Sequence, residues 1–135
     1  MHASTRLQFT PSGPAQAAGL VLRQDEANHY EVRVTGVPRR VELVTRISGA
    51  STVVRAVSIP EGDVTLAVDG LPDRYEFAYA VGNAAPEPLG SAPTEPLSSE
   101  RTGGFTGVFV GMYAAGEDNM PPADFDWFDY APLGD

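Results

Sequence analysis

The sequence has no cysteine and no lysine. The first absence rules out disulfides, thiolate metal sites and a cysteine nucleophile. It leaves the compartment open, because a chain of 135 residues can bury an adequate core without bridges. The second means that all nine basic residues are arginines, set against eighteen acids for a formal charge of −9. Every arginine lies at or before Arg101, whereas residues 102–135 hold six acids and no base. Such a chain repels phosphate backbones and anionic lipid surfaces, which argues against nucleic acid and membrane as partners. Long apolar runs are missing as well. None approaches the roughly 20 residues of a membrane-spanning helix, and Met1–Arg6 lacks the basic and apolar regions of a signal peptide. The expected localisation of the sequence as it stands is therefore cytoplasmic.

Histidine is scarce, with only His2 and His29. His29 stands at a turn-to-strand junction, usually a solvated position. No Gly-x-Ser-x-Gly elbow accompanies it to suggest a catalytic triad. Gly103-Gly104 precedes a strand pattern rather than a helix, so it is no phosphate loop.

What the chain does have is period-two alternation broken by turn residues. Twelve prolines and fourteen glycines leave little room for long helices. The Ala-containing stretch Pro14–Gly19 is too short to hold as a helix and reads as a loop leading into a strand. Ala18–Gln24 is an apolar run that ends at Asp25–Asn28. Tyr30, Val32 and Val34 then alternate with Glu31, Arg33 and Thr35. Val41 and Leu43 alternate with Glu42, and Thr52–Ile59 is Val-rich. Val64, Leu66 and Val68 share one face, and Tyr75, Phe77 and Tyr79 make an aromatic stripe. Phe105–Ala115 and Asp124–Tyr130 read as the last strands. Turns recur at the spacing of a sandwich or barrel. The expectation is one domain over 1–135: an all-β, antiparallel two-sheet sandwich of roughly nine to eleven strands, jelly-roll-like. Two loops interrupt it, a long one at 83–104 and an acidic one at 116–123.

Several segments together carry a resemblance. They are Thr5-Arg6-Leu7-Gln8-Phe9, Ala17-Ala18-Gly19-Leu20, Asn28-His29-Tyr30-Glu31-Val32, the run from Gly104 to Ala114 (GFTGVFVGMYA), and Ala123-Asp124-Phe125-Asp126-Trp127-Phe128-Asp129-Tyr130. Their order and spacing resemble the C-terminal, concanavalin A-like β-sandwich of glycoside hydrolase family 43 β-xylosidases, over nearly the whole chain. The five-bladed propeller that carries that family's catalytic acids is absent, since 135 residues have no room for it. The first strands of the sandwich are expected to be missing too, and an edge left bare invites pairing with another copy, hence a homodimer. The resemblance implies a non-catalytic accessory domain, partnered by a catalytic propeller, that contributes stability, oligomerisation or active-site shape. Two alternatives stay open: a stand-alone carbohydrate-binding module for xylan-type oligosaccharides, and a ligand-free structural or oligomerisation domain.

Phe105, with Thr106, sits in a glycine-flanked loop that can push a side chain outward. In the resembled family a phenylalanine at this place reaches toward the neighbouring catalytic pocket; otherwise Phe105 is a core residue. Tyr79 and Tyr113 are candidate sugar platforms, because flat aromatic faces suit pyranose rings. Tyr75, Trp127 and Tyr130 have the same chemistry, although for all five core packing across the two sheets is the favoured reading and Trp127 in particular reads as a core anchor. Asp124 and Asp126, two apart on a strand, share a face. With Glu117, Asp118 and Asn119 nearby they offer oxygen ligands to a structural Ca²⁺, or simply form a solvated acidic edge. No other cofactor is expected. As a pair for glycoside hydrolysis their spacing is acceptable, but no concave apolar surround is implied.

Overall fold

The computed structural model describes residues 2–13, 15–97, 109–116 and 123–131. These hold ten strands: β1 His2–Gln8, β2 Ala17–Asp25, β3 Asn28–Thr35, β4 Arg40–Ile47, β5 Ala50–Ser58, β6 Val64–Gly70, β7 Arg74–Val81, β8 Glu87–Pro93, β9 Phe109–Ala115 and β10 Asp124–Ala131. One sheet runs β10-β1-β6-β7-β8 and the other β5-β4-β3-β2-β9. Every pairing is antiparallel. The expected two-sheet sandwich is the observed one.

Alternation decides which side chains meet between the sheets. Leu20, Leu22, Tyr30, Val32, Val34, Val41 and Leu43 from one sheet, with Leu7, Leu66, Val68 and Phe77 from the other, form one buried cluster. Burying a branched aliphatic side chain is worth about 1.5–3 kcal/mol, so this cluster is the main source of stability. Tyr30 bridges the layers. Its ring meets Tyr75 edge-on at 6.1 Å and Phe77 at 6.5 Å, and its hydroxyl donates to the Pro93 carbonyl at 2.7 Å. The polar tip of a buried tyrosine is thereby satisfied. The phenol of Tyr75 is pushed above its ordinary range by burial and by Tyr130.

Two local devices set the turns. Ser48 and Gly49 both have positive φ, 51° and 83°, and link Ile47 to Ala50, which is paired with it across the ladder. That is the backbone twist a two-residue hairpin requires. Arg39 is buried, and its guanidinium donates to the carbonyls of Phe9 at 3.0 Å, Gly62 at 3.0 Å and Pro60. One side chain thus fastens the loops after β1 and β5. Burial lowers its proton affinity, against the opposing pull of Glu61 and Asp63.

Three expectations need correction. The long loop at 83–104 contains β8 and a 3-10 turn, Glu95–Leu97. Among the described residues β8 is bonded only to β7, so Pro88 and Pro93 cost few ladder bonds, and Leu89, Ala92 and Leu97 are buried. Secondly, the chain's first strand, β1, is no bare edge, because it lies inside its sheet between β10 and β6. Thirdly, Trp127 is no core anchor: it is 42% exposed. A bulge between Arg6 and Leu7 sets Trp127 opposite Arg6 and Phe125 opposite Leu7, leaving Asp126 as the extra residue. The alternation slips by one there, so Trp127 leaves the inner face and Phe128, opposite Thr5, takes its turn against the core.

Candidate functional face on the second sheet

The outward side chains of β3 are His29, Glu31 and Arg33, since Tyr30, Val32 and Val34 are buried inside. Register places Arg33 beside Gly19 of β2 and Glu42 of β4, while Tyr113 of β9 lies on the far side of Gly19. Gly19 has no side chain to bar the way, and Tyr113 reaches across β2 to donate its hydroxyl to Glu31 Oε2 at 3.1 Å. A Cβ at Gly19 would stand 2.1 Å from the Val32 carbonyl oxygen, so no other residue fits.

The contacts continue as a chain. Arg33 Nη1 donates to Glu31 Oε2 at 3.1 Å. Its Nε and Nη2 donate to Glu42 Oε1 at 3.0 and 2.8 Å. Arg40 Nε donates to Glu42 Oε2 at 2.5 Å. His29 Nε2 faces Glu31 Oε1 at 3.4 Å. The Glu42 side chain is only 5% exposed, although it lies on the outward face, because two guanidiniums roof it. Burial alone would raise its proton affinity, but the hydrogen bonds and charges of Arg40 and Arg33 outweigh that and hold the carboxyl below its ordinary value. Burial pulls Arg33 down, and its bonds to Glu42, with Tyr113 and Glu31, more than offset the loss. Tyr113 moves well above the usual phenol range, first through burial and then through the Glu31 charge. It is a neutral donor at any physiological pH.

Next to this network lies an open cleft of about 340 Å³, lined by His29, Glu31, Arg33, Val44, Arg46, Ser51, Thr52 and Val53. A second cleft, of about 370 Å³, lies on the other sheet beside β8, where Asp69, Glu76 and Glu87 meet Pro86, Pro88 and Ser91.

Among the described residues, those singled out from the sequence lie on different strands. Tyr113 joins the network above. Tyr79 is on β7 in the opposite sheet, opposite Leu66, with its ring partly buried against the core. Phe105 and Thr106 lie outside the described residues. Asp124 is exposed on β10, opposite Gln8. Asp126 is the extra residue of the bulge in β10. Among the described residues no group of three or more His, Asp or Glu comes together to hold a metal, and Glu117, Asp118 and Asn119 lie outside them. Sequence reasoning missed the Glu31–Arg33–Glu42 network and the cleft. Each member was read correctly as an outward strand residue, but cross-strand register is not visible in one sequence.

This geometry is that of a concanavalin A-like β-sandwich that carries a hydrogen-bonded chain of charges on one outer face. Residues 1–131 match the family described as the beta xylosidase C-terminal concanavalin A-like domain, and the chain belongs to that family. It is 38% identical over 138 residues to a non-reducing end alpha-L-arabinofuranosidase, BoGH43B, of Bacteroides ovatus, covering 98% of this chain and 26% of that protein. A solved structure described as Bacteroides ovatus Xyloglucan PUL GH43B superposes with a TM-score of 0.90 at 35% identity, over 98% of this chain and 27% of the other. A xylan beta-1,4-xylosidase from Bacillus halodurans shares the fold, with a TM-score of 0.85 at 24% identity over 94% of this chain and 26% of its own. The chain thus spans about a quarter of the length of these relatives.

Proposed function

We propose that this domain is a non-catalytic accessory module of a family 43 glycoside hydrolase, acting on the stability or active-site shape of an adjoining catalytic propeller. The observation that carries this is the match of residues 1–131 to a domain that accounts for about a quarter of its relatives. The carboxylate chemistry agrees. Glycoside hydrolysis needs one carboxyl held protonated by a raised pKa beside a second that is free to act. Glu42 is shifted the other way, and Glu31 is committed to Arg33, Tyr113 and His29. Both carboxylates serve to bind arginines.

The test is to join the chain to a family 43 catalytic domain and compare it with that domain alone on aryl xylosides and arabinofuranosides. Higher kcat/KM or a higher Tm in the joined protein is expected. Identical values for both quantities would remove the accessory role.

A second reading is a carbohydrate-binding module, favoured by the cleft of about 340 Å³ beside exposed Val53. Its volume is at the low end of ligand sites, the size of one sugar ring. The third, a ligand-free oligomerisation domain, draws support from β5, an edge strand exposed along nearly its whole length. Sedimentation distinguishes it: a dimer that persists at micromolar concentration and dissociates when Val54 is replaced by Lys.

A further inference from the structure

We propose that the cleft between β3, β4 and β5 is a binding site for a sugar that carries a carboxylate, a uronic acid. Arg46 would hold the carboxylate. It stands directly across the ladder from His29. Its guanidinium is held by two hydrogen bonds, with Nε donating to the Glu26 carbonyl at 3.0 Å and Nη1 to Ser51 Oγ at 2.9 Å. Both of those acceptors are neutral, and among the described residues no carboxylate lies within ion-pair distance of Arg46. Arg33, Arg40 and Arg74 each have such a partner. In a chain of charge −9, a guanidinium held in place at a cleft wall, with no ion-pair partner among the described residues, is prepared for an external one.

The rest of the lining selects the body of the ligand. Val44 and Val53 face each other across the ladder and give an apolar floor for ring C–H groups. Thr52 and Glu31 also line the cleft and bring oxygens for hydroxyls. Glu31 does not drive an acidic ligand away, because Arg33 and Tyr113 already share its charge. A carboxylate on the planar guanidinium gains charge-assisted hydrogen bonds of the geometry arginine suits best. A neutral pentose of the same size gains only the floor and those oxygens. The site stands on its own geometry and does not require the accessory role.

The experiment is an NMR titration of the full chain with glucuronic acid, xylose and acetate at low salt. Glucuronic acid is expected to shift the resonances of β3, β4 and β5 and to saturate at millimolar concentration, with xylose and acetate each at least about tenfold weaker, the effect of one charge-assisted bond or of the floor. Arg46→Gln removes the charge and is expected to abolish saturation. Val53→Glu, at an exposed edge position, keeps Arg46 and the fold and is expected to do the same by repulsion. Raising salt is expected to weaken the acid selectively. Equal binding of xylose, equal binding of acetate, unchanged binding in both variants, or no shift with any of the three would each overturn the proposal. So would binding of an acidic peptide in this cleft where glucuronic acid fails.

Discussion

Val32 and Arg33 are neighbours on β3 that point in opposite directions, and their two surroundings hold the domain in different ways. Inside, Val32 and its ladder partner Leu43 are completely buried among apolar side chains, and the contact is non-directional. Outside, Arg33 and its partner Glu42 belong to a hydrogen-bonded chain of charges in which Glu42 is almost as buried. The inner face tolerates a change of shape if volume is kept. On the outer face, removing one member of an ion pair leaves its partner without a counter-charge. The same strand therefore supplies stability on one side and a fixed polar surface on the other.

The largest effect should come from the inner face. Leu43→Ala is expected to cost about 2–5 kcal/mol in urea unfolding, the range for a large-to-small change at a buried site. Glu42→Gln, on the outer face, is expected to cost about 2 kcal/mol, because Arg33 and Arg40 lose their acceptor, yet both stay partly solvated. That variant also carries a pH signature. Glu42 has a folded-state pKa below its ordinary 4.5, so its contribution is complete above that value and is lost as pH falls through the lower, folded one. Acid unfolding curves of wild type and variant should converge below that point and separate above it. Tyr113→Phe is expected to cost about 1 kcal/mol, the net worth of one hydrogen bond, with no change in the slope against denaturant. His2→Ala is expected to be smallest, under about 1 kcal/mol, because the His2–Asp69 pair at 2.6 Å is solvent-exposed on both sides. If Glu42→Gln proved costlier than Leu43→Ala, the division of labour between the faces would be reversed.

The inner face was largely legible in the sequence. Tyr30, Val32 and Val34, then Val64, Leu66 and Val68, then Tyr75 and Phe77 all fall where period-two alternation places them. Two things were hidden. β8 is concealed by prolines, because the proline rule excludes central strands and says nothing against an edge; Gly90, at a φ of 151° beside a bulge, further disguises its pattern. Trp127 was misplaced by one bulge, since alternation carries no information about where a partner strand skips a residue. The outer face was legible only as polarity. That Tyr113 reaches Glu31 over Gly19, or that Arg46 faces His29, depends on pairing between segments as far as 82 positions apart, which local pattern does not encode.

The claim on which the account rests is that these carboxylates bind arginine and do not cleave bonds. The purified chain incubated alone with an aryl xyloside tests it most directly. Release of the aryl group at the uncatalysed background rate, unchanged in Glu31→Gln and Glu42→Gln, is the predicted result. Turnover above background that disappears in either variant would contradict it.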